Sequence, residues 1–370
     1  MAGYGNDSLT INVYLLPLPG TGADLRTLAY GVPKATNSLN GARYRPYLSA
    51  TDAASDLAAG YISAQTASEL TDVFSQTTAR VEKVLVFNCD LAGAEHYADT
   101  SAATSAIDVA IAAGMTITSF FGVAIQSDTA GEQLKMSVWC ESHANDYPHI
   151  FFLQSTSVDW YGATWPAAFS TIQTNKWSAS FFHTTATQPY ALCVATERLA
   201  YDPDAQSAGW RCEIVGVAAY TAALTSANKV NALANHVNLL GAGMGSNFWS
   251  DLGLNFEGRQ IKHLVSAAWL RYRMTESIQF MVRSLAAQGL SIPVNTSGAK
   301  QVESIVAGVA QRGVSIGHFD AYTDSNGVKY PKTSSTYSRS TNTITVTLDL
   351  YFNNEVQTIV VNAYLNEAEA

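Results

Sequence analysis

The sequence predicts a protein that is α/β in its middle and α+β around it, and three observations carry that reading. Between residues 80 and 213, short apolar runs rich in β-branched and aromatic residues alternate with amphipathic, helix-like segments. Longer segments of helical spacing follow, punctuated by Gly and Pro. Near both ends, apolar and polar residues alternate with a period of two, the pattern of a strand with one buried face.

In the middle, 81–87 reads as a strand, 105–113 as an Ala-rich helix capped by Gly114, and 117–125 as a strand. The uncharged stretch between Asp108 and Asp128 approaches the roughly 20 residues of a membrane-spanning helix. Gly114, Thr116, Thr118 and Ser119 break it into helix, cap and buried strand instead. Next come a helix at 129–144, with Leu134, Val138 and Trp139 on one side, and a strand at 149–154. A helix at 164–174 is opened by Trp165-Pro166. A strand at 177–184 and a helix at 190–201, ended by Asp202-Pro203, complete the series. Apolar strands alternating with helices imply a parallel sheet covered on both faces.

The flanks read differently. Residues 222–240 are helical and Asn-rich. A long helix fits 261–288, with Leu264, Ala268, Ile278, Met281 and Leu285 at helical spacing, stopping at Gly289 before Ile292-Pro293. A further helix fits 298–311 and ends at Gly313; a polar hairpin around Asp324-Ser325-Asn326-Gly327 and a Ser/Thr-rich loop at 332–342 follow. Ile344, Val346, Leu348, Leu350 and Phe352 then alternate strictly with Thr345, Thr347, Asp349 and Tyr351. After the turn-forming Asn353-Asn354, a second strand-like run carries Val356, Ile359, Val361, Ala363 and Leu365. The N-terminus mirrors it: Leu9, Ile11, Val13 and Leu15 alternate with Thr10, Asn12 and Tyr14 until Pro17 and Pro19. Two readings stay open for these ends. They close the chain's own sheet, or they add strands to neighbouring molecules.

Of 370 residues, 47% are hydrophobic and only 14% charged, against roughly 25% in an average soluble protein. A weakly charged, Ser/Thr/Asn/Ala-rich exterior suits burial against partners. The net charge is −9 and no Lys/Arg run exceeds two, which argues against nucleic-acid binding. The N-terminus has neither the basic nor the apolar region of a signal peptide. Cys89, Cys140, Cys193 and Cys212 lie far apart and read as buried thiols rather than a disulfide framework.

Motifs for chemistry are sparse. Gly241-Ala242-Gly243-Met244-Gly245 follows a helix-like segment, whereas a dinucleotide loop follows a strand and opens a helix. Cys140, His143 and His149 give half the spacing of a zinc site. Asp202-Pro203-Asp204 reads as a turn, and His183 as a strand-end polar residue without an evident nucleophile or carboxylate partner. There is no P-loop and no Gly-x-Ser-x-Gly elbow. No catalytic, cofactor-binding or metal-binding residue is therefore assigned.

The order of elements, together with Ala267-Ala268-Trp269-Leu270-Arg271-Tyr272-Arg273, Ile292-Pro293-Val294-Asn295, Gly298, the Asp324–Val328 hairpin, Arg339 and the terminal strand pair, resembles the short tail-sheath proteins of contractile bacteriophages. The likeness covers about three quarters of the chain in order of elements. It implies an α+β core assembled from residues 20–79 and 214–352, an inserted outward-facing α/β domain at 80–213, and strand arms at 1–19 and 353–370. It further implies a non-enzymatic subunit without cofactor, forming stacked hexameric rings around a tail tube and contracting to drive that tube through the host envelope. The implied partners are copies of itself, the tail tube protein, and baseplate and tail terminator proteins, with no nucleic acid and no membrane insertion. The implied location is the virion tail, after assembly in the host bacterial cytoplasm. The rival readings are a non-contractile tube or baseplate protein and an α/β virion enzyme.

Overall fold

Val84, Leu85, Val86 and Phe87 carry no polar face between them, so the strand they form has to be covered on both sides. The computed structural model describes residues 24–35, 38–77, 79–220, 223–242, 248–250 and 253–353, and it provides that cover. The arm residues Leu9, Ile11, Val13, Leu15, Val356, Ile359, Val361, Ala363 and Leu365 lie outside the described residues.

The chain begins with β1 (Leu28–Pro33), β2 (Tyr44–Tyr47), α1 (Ala50–Ala58), α2 (Ala64–Phe74) and β3 (Val84–Cys89). It continues through α3 (Ala106–Ala112), β4 (Gly122–Ile125), α4 (Ala130–His143), β5 (Ile150–Ser155), β6 (Ser178–Phe182) and α5 (Tyr190–Leu199). Then come β7 (Cys212–Ile214), α6 (Ser226–Ala234), β8 (Val237–Ala242) and β9 (Phe248–Ser250). These strands form one nine-stranded sheet in the order β2-β3-β1-β4-β5-β6-β8-β9-β7. The six strands from β3 to β8 run parallel; β2 on one side and β9 and β7 on the other are antiparallel.

Alternation along the strands divides their side chains between two cores. Leu28, Tyr30, Val84, Val86, Ile150, Phe152, Ala179 and Phe181 face a core shared with α1, α2 and α5. Ala29, Leu85, Phe87, Val123, Phe151, Leu153 and Phe182 face a second core closed by α3, α4 and Trp160. This is the predicted parallel sheet, and it extends beyond 80–213 on both sides. The strand between β3 and β4 is β1, from residues 28–33, and β8 and β9 come from residues 237–250.

Several elements differ from expectation, each for a local reason. The strand expected at 117–125 is only β4; Ile117–Ser119 forms a 3-10 turn ahead of it. The helix expected at 164–174 is a 3-10 helix, Ala167–Ile172, that starts after Pro166. On α4 the buried positions are Gln133, Met136, Ser137, Trp139 and Cys140, while Val138 points outward. The helical reading of 222–240 holds only for α6; His236 takes a positive φ, and the chain then enters β8.

The rest of the chain builds a second structure on the first. It comprises α7 (Ile261–Ala287), α8 (Thr296–Ser315), the small hairpin β10 (Tyr322–Thr323) and β11 (Lys329–Tyr330), and a larger hairpin, β12 (Lys332–Ser338) and β13 (Thr343–Asp349). Asn295 caps α8 by accepting from the Gly298 N–H at 3.0 Å. The helix runs through Gly313 instead of ending there, because this position lies against Phe319 and Trp269 with no room for a side chain. The expected loop at 332–342 is instead β12 and its turn.

Two expectations follow. A Cβ at Gly31, in the interior strand β1, would lie 2.6 Å from ring carbons of Phe87 and Tyr97. Gly31→Ala should lower unfolding stability by about 1–3 kcal/mol, read by chemical denaturation. Burial also raises the Asp72 carboxyl to about 6. Because that folded-state value exceeds the ordinary one, its contribution to stability is present at low pH and lost as pH rises through about 6. Asp72→Asn should flatten melting temperature against pH between about 4 and 7, measured by differential scanning fluorimetry.

Candidate assembly interface

A strand edge exposes backbone donors and acceptors that pair with whatever strand arrives, and natural sheets usually blunt such edges. The nine-stranded sheet does so twice. Pro46 sits within edge strand β2, where it offers no N–H to a further strand. Beyond edge strand β7, the Gln76 side chain imitates a strand: its Oε1 accepts from the Val215 N–H at 3.1 Å and its Nε2 donates to Val215 O at 2.8 Å.

The β12–β13 hairpin has no such protection. The two strands pair antiparallel over seven residues each, from Lys332↔Asp349 to Ser338↔Thr343. Among the described residues each has only the other as neighbour, so both outer edges are bare. Thr333, Ser335, Ile344, Val346 and Leu348 form the face toward α8. Glu303 of α8 fastens it, accepting from Ser335 Oγ at 2.5 Å and Thr333 Oγ1 at 3.4 Å. The Lys300 ammonium at 2.7 Å holds the Glu303 carboxyl below its ordinary range. The opposite face carries Ser334, Thr336, Ser338, Thr343, Thr345 and Thr347, with charge only at the end, on Lys332 and Asp349.

The hairpin reaches the main sheet through α7 and α8. The first half of α7 is buried in the first core through Ile261, Leu264, Ala268, Trp269, Leu270, Met274 and Ile278. Past Ile278 no α7 residue is buried, and Phe280 is 74% exposed. At this neck stands Asp204, in the loop after α5. Its carboxylate accepts from Trp269 Nε1 at 2.8 Å, Arg312 Nη2 at 3.0 Å, and Arg273 Nε and Nη2 at 3.0 and 2.6 Å. Pro203 O accepts from His318 Nε2 at 2.8 Å, and Ser207 N–H donates to Ile316 O at 3.2 Å.

No protein-family model matches the sequence, and no curated protein matches it. Solved structures do. A chain of the anti-feeding prophage helical sheath in its contracted state aligns with a TM-score of 0.64 at 10% identity, covering 98% of this chain and 100% of that one. A chain of the anti-feeding prophage baseplate aligns at 0.66 and 10%, covering 97% and 100%. The sheath tail protein Lin1278 of Listeria innocua aligns at 0.57 and 10%, covering 91% and 93%. This is the fold of contractile-tail sheath proteins.

Within the sheath fold, the residues considered for chemistry are occupied otherwise. His183 is buried at the end of β6, with Nε2 donating to Ala218 O at 2.9 Å and Nδ1 accepting from the Thr185 N–H at 3.0 Å. His143 packs on the Trp139 ring at 4.2 Å. His149 stacks on Phe120 at 4.6 Å, and burial lowers its imidazole to about 3. Among the described residues, no group of three His, Cys, Asp or Glu is placed to hold a metal ion. Asp202 Oδ1 accepts from the Asp204 N–H at 2.9 Å, closing the expected turn. Of the glycine-rich segment, Gly241 and Ala242 end strand β8, and Gly243, Met244 and Gly245 lie outside the described residues; the next described element is strand β9, where a dinucleotide site would have a helix.

A cavity of about 250 Å³ lies beside the carboxyl ends of β4 and β5 and is lined by Tyr30, Glu69, Gln126 and Gln154. Open α/β sheets often bind ligands at such a place. Here the Glu69 carboxylate is engaged by the Tyr30 hydroxyl and by the Gln65 and Gln126 amides.

Glu303→Ala should loosen the hairpin without touching the sheet. Hydrogen exchange at 332–349 should rise by the equivalent of about 1–2 kcal/mol while β1 and β3 keep their protection.

Proposed function

We propose that this chain is a sheath subunit of a contractile tail, a structural protein and not an enzyme, joined to its copies by strand addition at the β12–β13 hairpin. The observation that carries the reading is a contrast within one sheath-fold chain. The large sheet has both edges blunted, while among the described residues the β12–β13 sheet has no further strand on either edge. A two-stranded sheet is marginal alone, and two more strands would complete it. The segments at Leu9, Ile11, Val13 and Leu15 and at Val356, Ile359, Val361, Ala363 and Leu365 have the alternating sequence pattern that suits this addition.

In the finer form of the proposal, six subunits form a ring and rings stack around a tail tube, ending at baseplate and terminator proteins. The strand joints hold neighbours together while the bodies move, so that the stack shortens and drives the tube through the host envelope. The energy comes from a metastable extended arrangement with small differences spread over many interfaces, and no nucleotide is consumed. The division into an inner core (20–79 with 214–352) and an outward-facing 80–213 is proposed as an order of radial layers, since one sheet runs through all three segments. The assembly takes place in the bacterial cytoplasm and the product resides in the virion tail. A non-contractile baseplate role is the second reading, favoured by the likeness to a chain of the anti-feeding prophage baseplate.

Ending the chain at Asn354 should give a folded subunit that no longer polymerises, and Ile11→Asp or Val13→Asp should do the same from the other end. Negative-stain microscopy reads the outcome. Wild-type tubes are expected without added nucleotide or metal, and long tubes from the truncated chain would refute strand addition by the C-terminal segment. Single rings from the wild-type chain would favour the baseplate role.

A further inference from the structure

The acceptor hairpin sits on a lever, and a lever is useful only if its angle is set. Fully buried residues of α7 end at Ile278; past it the first core thins to the partly buried Val282 of α7 and reaches the hairpin through Val306 and Ala310 of α8 and Leu348 of β13. The nine residues of α7 past Ile278 span about 14 Å, so a small rotation at the neck displaces the far end of the helix pair. The loop at 202–207 crosses this neck and touches α7, α8 and the turn after α8 at once.

We propose that Asp204 is the positioning residue that fixes the angle of the α7–α8–hairpin lever against the sheet, and so presents the hairpin edges in register to neighbouring copies. Three properties fit it for this. Its pairing with Arg273 is forked, through Nε to one carboxylate oxygen and Nη2 to the other, which defines direction as well as distance. It also reaches Arg312, near the end of α8, so a single carboxylate ties both helices to one loop. Finally, Glu276, on the same helix, holds Arg273 at 2.5 Å and ties the guanidinium to α7, so that a tilt of the helix pulls it out of line with Asp204. The inference rests on the hairpin being the acceptor, but its first measurement does not.

That measurement is the distance between spin labels at Glu82→Cys, in the bend just before β3, and Ser340→Cys, at the hairpin tip, in the unassembled subunit. Both positions are exposed, and the four native cysteines are buried, which leaves the introduced thiols as the accessible ones. Double electron–electron resonance should give a narrow distribution in the parent and a broad one in Asp204→Ala, with near-UV circular dichroism unchanged. Asp204→Glu, which keeps the charge, should narrow it again. The critical concentration for assembly should rise about tenfold in Asp204→Ala. If Asp204→Ala does not fold, Arg312→Ala removes one partner from the half-exposed side and should broaden the distribution to a lesser degree. An unchanged distribution in the variant that folds overturns the proposal, as does a broadened one with wild-type assembly when deletion of 332–349 abolishes assembly. If deleting 332–349 leaves assembly intact while Asp204→Ala still broadens the distribution, strand addition at the hairpin fails and the neck clamp stands.

Discussion

Every strand in this protein leaves backbone groups that need a partner, and the ways in which those needs are met organise the molecule. Inside the large sheet they are met by neighbours, with β1 held between β3 and β4. At the edges, a proline within β2 and a glutamine side chain beyond β7 end the demand. Among the described residues the two short ladders, the two-residue β10–β11 pair and the seven-residue β12–β13 hairpin, have no further strand on either side, and of these only β12–β13 is long enough to template another strand. The same rule that makes the body a closed unit marks the hairpin as the place where the chain is incomplete.

The acidic groups follow a related logic. Burial raises the carboxyls of Glu69, Asp72, Glu141 and Glu197 within the body. Asp204 and Glu303, by contrast, are held low by cationic and hydrogen-bonding partners. Desolvation opposes Asp204's ionisation, and the Trp269 and Arg273 contacts outweigh it. These two carboxyls sit at the joints between body, helices and hairpin, where an ionised partner gives direction to a contact.

How much of this was legible in the sequence depended on whether a residue's environment lay close by in the chain. The run at 84–87 has no polar face, so its burial could be read directly, and the alternation from Ile344 to Leu348 announced β13. Its partner β12 could not be read: Thr333, Ser335 and Tyr337 give no apolar stripe, and β13 and α8 impose strand geometry on what reads as a loop. β1 is short and interrupted by Gly31, and nothing local says that it will occupy the middle of the sheet. The helices α1 and α2 each carry a local start signal, Ser49 and Ser63 capping the helix that follows. Asp204 looked like a turn residue and is one, but its partners are 65, 69 and 108 residues away, so the neck was invisible from the chain alone.

The hydroxyl-bearing face of the hairpin has a mechanical consequence. Salt ions weaken the attraction between exposed charges, and at physiological strength they screen most of it beyond about 8 Å. A joint made of backbone hydrogen bonds under a layer of Ser334, Thr336, Ser338, Thr343, Thr345 and Thr347 offers those ions almost nothing to screen. A sheath coupled through it would hold with nearly the same strength in dilute water, in cytoplasm and in brine.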